Sequence, residues 1–189
     1  MRKFLLLFSL ILITTSIKAQ EVKLNENGAL ELKQVVTVEN ASKNAIFTNV
    51  RSIISDALPT SNNSEHAIDY SDLESGVIIA KGLFYIGDAK GRFSYKWHVF
   101  DNYIMTVKIK DGKYQISIKV PSITLKYSGE NVTAVIQTNQ IYPKYDGSKL
   151  PSYVKIKDAV IEFGPKIPDS MHTLAKGLIE KISNVEADF

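Results

Sequence analysis

Between Tyr103 and Val120, apolar and polar side chains alternate along two runs that meet at Asp111-Gly112. Strict alternation is the mark of a strand with one buried face, and Asp-Gly between two such runs predicts a two-residue hairpin. A type I′ turn, with positive φ at both central residues, is expected there. Such a loop pairs Lys110 with Lys113. From there Ile109 meets Tyr114, Val107 meets Ile116, Met105 meets Ile118 and Tyr103 meets Val120, so one face is entirely apolar or aromatic. The other carries Thr106, Lys108 and Lys110 against Ser117, Gln115 and Lys113, with Ile104 across from Lys119. An antiparallel sheet with one dry side and one wet side follows.

The remaining pattern supplies more strands and two helices. Leu30, Leu32, Gln34, Val36 and Val38 share a strand face. Ser42 suits a helix N-cap, and Ile46, Val50, Ile53, Ile54, Ala57 and Leu58 recur at spacings of three and four until Pro59 stops the run. Gly76 to Ile86 reads as a strand, with Gly82 marking a bulge or a close backbone approach. Gly87 to Gly91 reads as a hairpin turn, and Phe93 to Val99 as the returning strand, broken or bulged at Asp101-Asn102. Residues 121–167, rich in proline, are expected to hold one or two peripheral strands and long connections. Pro168-Asp169 then starts a helix whose stripe is Met171, Leu174, Ala175, Leu178, Ile182 and Val185. The expected architecture is α+β: an antiparallel sheet of about five strands with two helices packed on its apolar face.

The first residues change where this domain works. Arg2 and Lys3 precede the apolar run Phe4 to Ile13, and Ala19 offers a small residue for cleavage. This is the layout of an export signal over residues 1–19, and the run is shorter than the about 20 apolar residues a spanning helix needs. A polar leader at 20–29 and a single domain at 30–189 are expected, with a core at 30–127 and an extension at 128–189 ending in a helix. The chain has 23 Lys and Arg against 20 Asp and Glu. Arg2, Lys3 and Lys18 leave with the signal, so residues 20–189 are balanced, and overall charge gives no pull toward nucleic acid. Cysteine is absent, which excludes disulfides, a lipid-modified cysteine and a cysteine nucleophile.

Three segments carry a family resemblance: Val35 to Val50 (VVTVENASKNAIFTNV), Gly76 to Gly82 (GVIIAKG) and Lys110 to Tyr114 (KDGKY). In order and spacing they resemble the exported family of domain of unknown function 4468, found mostly in Bacteroidetes-type bacteria. Gln115 stands where that family often has arginine, and Ile53 where it often has an aromatic. The resemblance covers roughly Leu30 to Tyr127. It implies a TBP-like sheet and a periplasmic or secreted location in a Gram-negative envelope, and it brings no catalytic residue.

Candidate chemistry is sparse. With three histidines and no G-x-S-x-G elbow, a serine hydrolase is disfavoured. His66 lies near Glu65, Asp69, Asp72 and Glu74, but without EF-hand or paired-histidine spacing, so these read as solvated loop charges. His98 beside Asp101 could form a base and its orienting acid, although such a pair more often serves structure. No catalytic residue, metal or cofactor is assigned. Aromatic residues crowd between Phe84 and Tyr103. A parity shift at Asp101 would turn Tyr95 and Trp97 to the open face beside Lys108 and Lys119, making an aromatic, cationic ligand surface. The expected function is a non-enzymatic binding or accessory module for an envelope peptide, glycan or protein, with no nucleic-acid partner and no membrane span after cleavage. The alternative is an envelope hydrolase or transferase using His66 or His98.

Overall fold

Two long strands joined at Asp111-Gly112 organise the molecule. The computed structural model of the chain describes residues 21–57, 67–90, 96–128, 133–144 and 156–186; the predicted export signal at 1–19 lies outside them. In chain order the elements are β1 (Lys23–Leu24), β2 (Leu30–Thr37), α1 (Lys43–Ala57), β3 (Ile68–Asp72), β4 (Val77–Lys90), β5 (Lys96–Lys110), β6 (Lys113–Tyr127) and β7 (Thr133–Gln137). The short α2 (Thr138–Ile141), α3 (Ile156–Phe163) and α4 (Ile167–Glu186) follow. One antiparallel seven-stranded sheet has the order β1-β2-β6-β5-β4-β3, and β7 pairs with the far half of β6.

The hairpin register is the one the alternation dictates as far as Ile104 opposite Lys119. Beyond it Asn102 pairs with Ser122, so Val120 and Pro121 together face Tyr103. The irregularity expected on β5 therefore lies on β6. Proline has no N–H to give the ladder, and a bulge is where a sheet tolerates it. Thr138 Oγ1, fully buried, sits 2.9–3.1 Å from the carbonyl oxygens of Gly28, Val120 and Pro121, supplying the donor that this corner would otherwise lack. The turn also departs from type I′. Of its two central residues only Gly112 has a positive φ, 69°.

The bulge shifts the buried face of β6 from Tyr114, Ile116, Ile118 and Val120 to Ile123 and Leu125, while β5 runs unbroken. Trp97, Val99, Asp101, Tyr103, Met105, Val107 and Ile109 all point into the core. Gly82 pairs regularly with Tyr103; the break in β4 falls between Tyr85 and Gly87. β4 accordingly continues to Lys90, through what the sequence suggested was a turn. Gly87 adopts φ 148°, and a Cβ there would collide with the ring of Phe163 from α3.

Among the described residues α1, α3 and α4 cover the core face, where the sequence suggested two helices. α1 buries Ile46, Phe47, Val50, Ile53 and Ile54; α3 contributes Ala159, Val160 and Phe163; α4 contributes Met171, Leu174, Ala175, Leu178, Ile179 and Ile182. Ser42 Oγ accepts the Ala45 N–H at 3.3 Å, as an N-cap should. Asp111 Oδ1 adds a second cap from across the sheet, accepting the Lys43 N–H at 2.7 Å. Leu58 and Pro59, expected at the end of α1, lie outside the described residues.

Candidate ligand-binding face

The side of the sheet away from the helices is built in rows, because residues paired across neighbouring strands share a face. Moving along β5 from its start, one row is Asp88, His98, Lys126 and Thr133, and the next is Tyr85, Phe100, Thr124 and Val135. Leu83, Asn102, Ser122 and Gln137 follow, then Lys81, Ile104, Lys119 and Glu31. The first three rows form a connected cluster. The Tyr85 ring lies 5.5 Å from Phe100 and 6.5 Å from His98, both tilted, and Lys126 Nζ stands 5.3 Å from the Phe100 centroid. Tyr85 is 51% exposed and Val135 57%, so apolar surface is presented to solvent.

Asp88 holds the cluster together. Its Oδ1 accepts from Tyr85 Oη at 2.5 Å and lies 2.7 Å from His98 Nδ1, and its Oδ2 accepts from Lys96 Nζ at 3.3 Å. Hydrogen bonds from Tyr85 first and His98 second hold its carboxyl down at about 2, while the bond to Asp88 raises the Tyr85 phenol. Asp88 is thus an ionised anchor that orients a phenol, an imidazole and an ammonium group. Below it, Asn102 Nδ2 donates to Ser122 Oγ at 2.8 Å and lies 2.9 Å from Thr124 Oγ1. Ser122 and Thr124 are buried although they lie on the open side, so this end of the face is densely packed.

The charge of the face is lopsided. Lys33, Lys81, Lys90, Lys96, Lys108, Lys110, Lys113, Lys119 and Lys126 lie on it, and the only acids that β2, β4, β5 and β6 set against them are Glu31 and Asp88. Glu31 takes Lys33 at 3.1 Å and Lys119 at 3.8 Å, and Asp69 of β3 takes Lys81 at 2.8 Å. Burial would raise the Glu31 carboxyl, but the bonds from Lys33 and Ser117 outweigh it and leave it lowered.

The sequence-predicted patch is only partly assembled. Lys108 and Lys119 are on the open face, but Trp97 is 8% exposed and packs in the core against the tilted ring of Tyr127 at 4.9 Å. Its placement follows from the unbroken alternation of β5: without a parity shift, Trp97 shares the core face of Ile109, and His98 and Phe100 take the open one. Tyr95 lies outside the described residues, as does His66. His98 and Asp101 are on opposite faces, so they do not pair. The acid at His98 is Asp88, which the sequence hid inside an apparent turn. Tyr85, Phe100 and Lys126 were missed with it, though counting parity back from Asp111-Gly112 would have found Phe100.

Asp101 itself is in the core, 1% exposed. Its Oδ2 is hydrogen-bonded to Ser170 Oγ, and its Oδ1 has no hydrogen-bond partner among the described residues. Burial raises its carboxyl to about 7, against a smaller lowering by Ser170. No group of three or more His, Asp or Glu is positioned to hold a metal among the described residues. No helix among them is long and apolar enough to cross a membrane.

A seven-stranded antiparallel sheet closed on one side by helices and open on the other defines a TBP-like α+β domain, and solved structures of that kind superpose on it. A TBP-like protein from Parabacteroides distasonis matches with a TM-score of 0.59 and 15% identity, over 85% of this chain and 96% of its own. A DUF4468 family protein from Bacteroides ovatus matches with a TM-score of 0.55 and 17% identity, over 87% and 88%. Residues 33–124 match the sequence model of the domain of unknown function DUF4468 with TBP-like fold. No curated protein matches the chain.

Proposed function

We propose that the chain is an exported, non-enzymatic binding module of the cell envelope that takes its ligand on the open sheet face around Tyr85, His98 and Phe100. Export rests on the basic residues and apolar run at Arg2 to Ile13. The binding role rests on one observation: the open face carries a cluster of solvent-facing aromatic rings whose neighbouring polar groups are already oriented by Asp88. Rings that present apolar area beside fixed hydrogen-bonding groups are economical recognition surfaces, because little side-chain freedom remains to be lost on binding. The test is a glycan and peptide array probed with residues 20–189, with the double variant Tyr85→Ser/Phe100→Ser, and with Ile161→Ser as a helix-side control. Array signals should fall about tenfold or more in the face variant and persist in the control. Equal signals from all three proteins would sink the reading.

One observation favours the rival reading. Asp88 holds His98 by Nδ1, which leaves Nε2 as the nitrogen for proton transfer. A panel of chromogenic esters, phosphoesters and glycosides turned over by the wild type and not by His98→Ala would establish an envelope hydrolase and overturn the non-enzymatic reading.

A further inference from the structure

We infer that the ligand of this face is an acidic polysaccharide, an inference that rests on the face being the binding surface. The first argument is charge segregation. Residues 20–189 carry equal numbers of basic and acidic side chains, yet the charged side chains on the open side of β2, β4, β5 and β6 are lysines with only Glu31 and Asp88 against them. Residues two apart on a strand are about 6.8 Å apart and neighbouring strands about 4.8 Å, so these ammonium groups form a field able to meet charges repeated along a polymer.

The second argument is the company the lysines keep. Lys126 stands over Phe100, whose ring packs against Tyr85, and one row further lies the amide of Asn102 with Ser122 and Thr124. Ring surface for C–H faces, amide and phenol groups for hydroxyls, and ammonium groups for carboxylates are the complement of an acidic sugar. The third argument separates this polymer from other polyanions. Asp88 is ionised in the middle of the cluster, and a fixed carboxylate repels the closely spaced phosphates of nucleic acid more than the sparser charges of a uronic-acid chain. A membrane surface is disfavoured because the chain's one tryptophan, the side chain best suited to a lipid interface, is in the core.

Exposed ion pairs contribute little each and are screened by salt, so affinity must come from several at once. The experiment is isothermal titration of residues 20–189 with polygalacturonate, with its fully methyl-esterified form and with duplex DNA, at low and at physiological salt. Polygalacturonate should bind tightest, and the double variant Lys119→Ser/Lys126→Ser, which replaces no buried side chain, should weaken it roughly tenfold. Raising the salt should weaken it further. Equal binding of the methyl ester overturns the acidic ligand and leaves the binding face standing. DNA binding as tightly as polygalacturonate overturns the glycan in favour of a general polyanion. Silence toward both glycans overturns the inference, and the Tyr85→Ser/Phe100→Ser array result then reports separately on the face.

Discussion

Replacing Asp101 by asparagine should change how stability depends on pH more than how stable the protein is at any one pH. Ser170 Oγ has one proton and two acceptors in reach, Asp101 Oδ2 and the Ile167 carbonyl at 2.7 Å. If the hydroxyl serves the carbonyl, the carboxyl must donate to the hydroxyl, which requires a protonated Asp101. Burial at 1% exposure favours the same neutral form, and the carboxyl stands at about 7 against an ordinary 3.8. Below about pH 4 both folded and unfolded chains hold this proton, and the group contributes no slope. Between about pH 4 and pH 7 the unfolded chain has lost it while the folded chain keeps it, so stability falls as pH rises, by at most about 1.4 kcal/mol per pH unit. The loss levels off above about pH 7, after a total of up to about 4 kcal/mol. Asp101→Asn cannot ionise and should lack this slope. Its stability relative to wild type should therefore climb across the window, whatever its value at the acid end. Trp97 is the chain's one tryptophan and is buried on the same face of β5, so urea unfolding followed by its fluorescence reads the difference. Parallel stability curves for the two proteins from about pH 4 to about pH 7 would refute a neutral Asp101.

Three further substitutions probe how the sheet is held. Asp111→Ala removes the carboxylate that caps Lys43 N–H, and should cost about 1 kcal/mol by the same assay; no change would mean that Ser42 alone caps α1. Thr138→Val deletes the hydroxyl at the Gly28, Val120 and Pro121 carbonyls, with an expected loss of about 1–3 kcal/mol, and unchanged unfolding would remove it from the bulge. Gly87→Ala forces a side chain into an unfavourable φ and into the Phe163 ring, at an expected cost of about 1–3 kcal/mol. The double variant Gly87→Ala/Phe163→Leu should show a coupling energy in a thermodynamic cycle, and strict additivity would deny the contact.

What was legible in the sequence is what local physics decides. Alternation around Asp111-Gly112 gave the hairpin register because a slip by one residue would expose a whole apolar face. The α1 and α4 stripes were legible for the same reason, since burial dictates their period. The errors came from residues whose role depends on something distant. Gly87 looked like a turn because its positive φ is common to turns and bulges, and only Phe163 arriving from α3 tells them apart. Pro121 looked like the end of a strand, whereas Thr138 lets the strand pass through it. Asp101 looked like a strand breaker and a partner for His98, and became a core residue because Ser170 of α4 meets it. These misreadings all bear on parity, which is why the predicted aromatic surface named Trp97 and the structure presents Tyr85 and Phe100.

The motifs that carry the family resemblance lie together at one corner, and their contacts there are structural. Asp111 caps α1, Gly112 N–H donates to the Ala41 carbonyl at 2.9 Å, and Lys43 Nζ donates to the Glu74 carbonyl at 2.6 Å. Ile109 N–H donates to the Gly76 carbonyl at 2.7 Å, and a Cβ on Gly76, whose φ is 67°, would strike the Ile109 carbonyl. Glycine is required at that position both by the backbone conformation and by the close approach. The N-terminus of α1, the β3–β4 turn and the β5–β6 turn are thereby locked into one joint, which explains why residues so far apart in sequence form a recognisable set. The aromatic cluster sits at the other end of the same strands, twelve residues along β5 from Lys110 to His98, or at most about 40 Å. A signature made of joint residues identifies how the sheet is closed and is silent about what its far end holds. The match of residues 33–124 to the family model therefore speaks for the scaffold, and the ligand must be argued from the rows around Tyr85, His98 and Phe100.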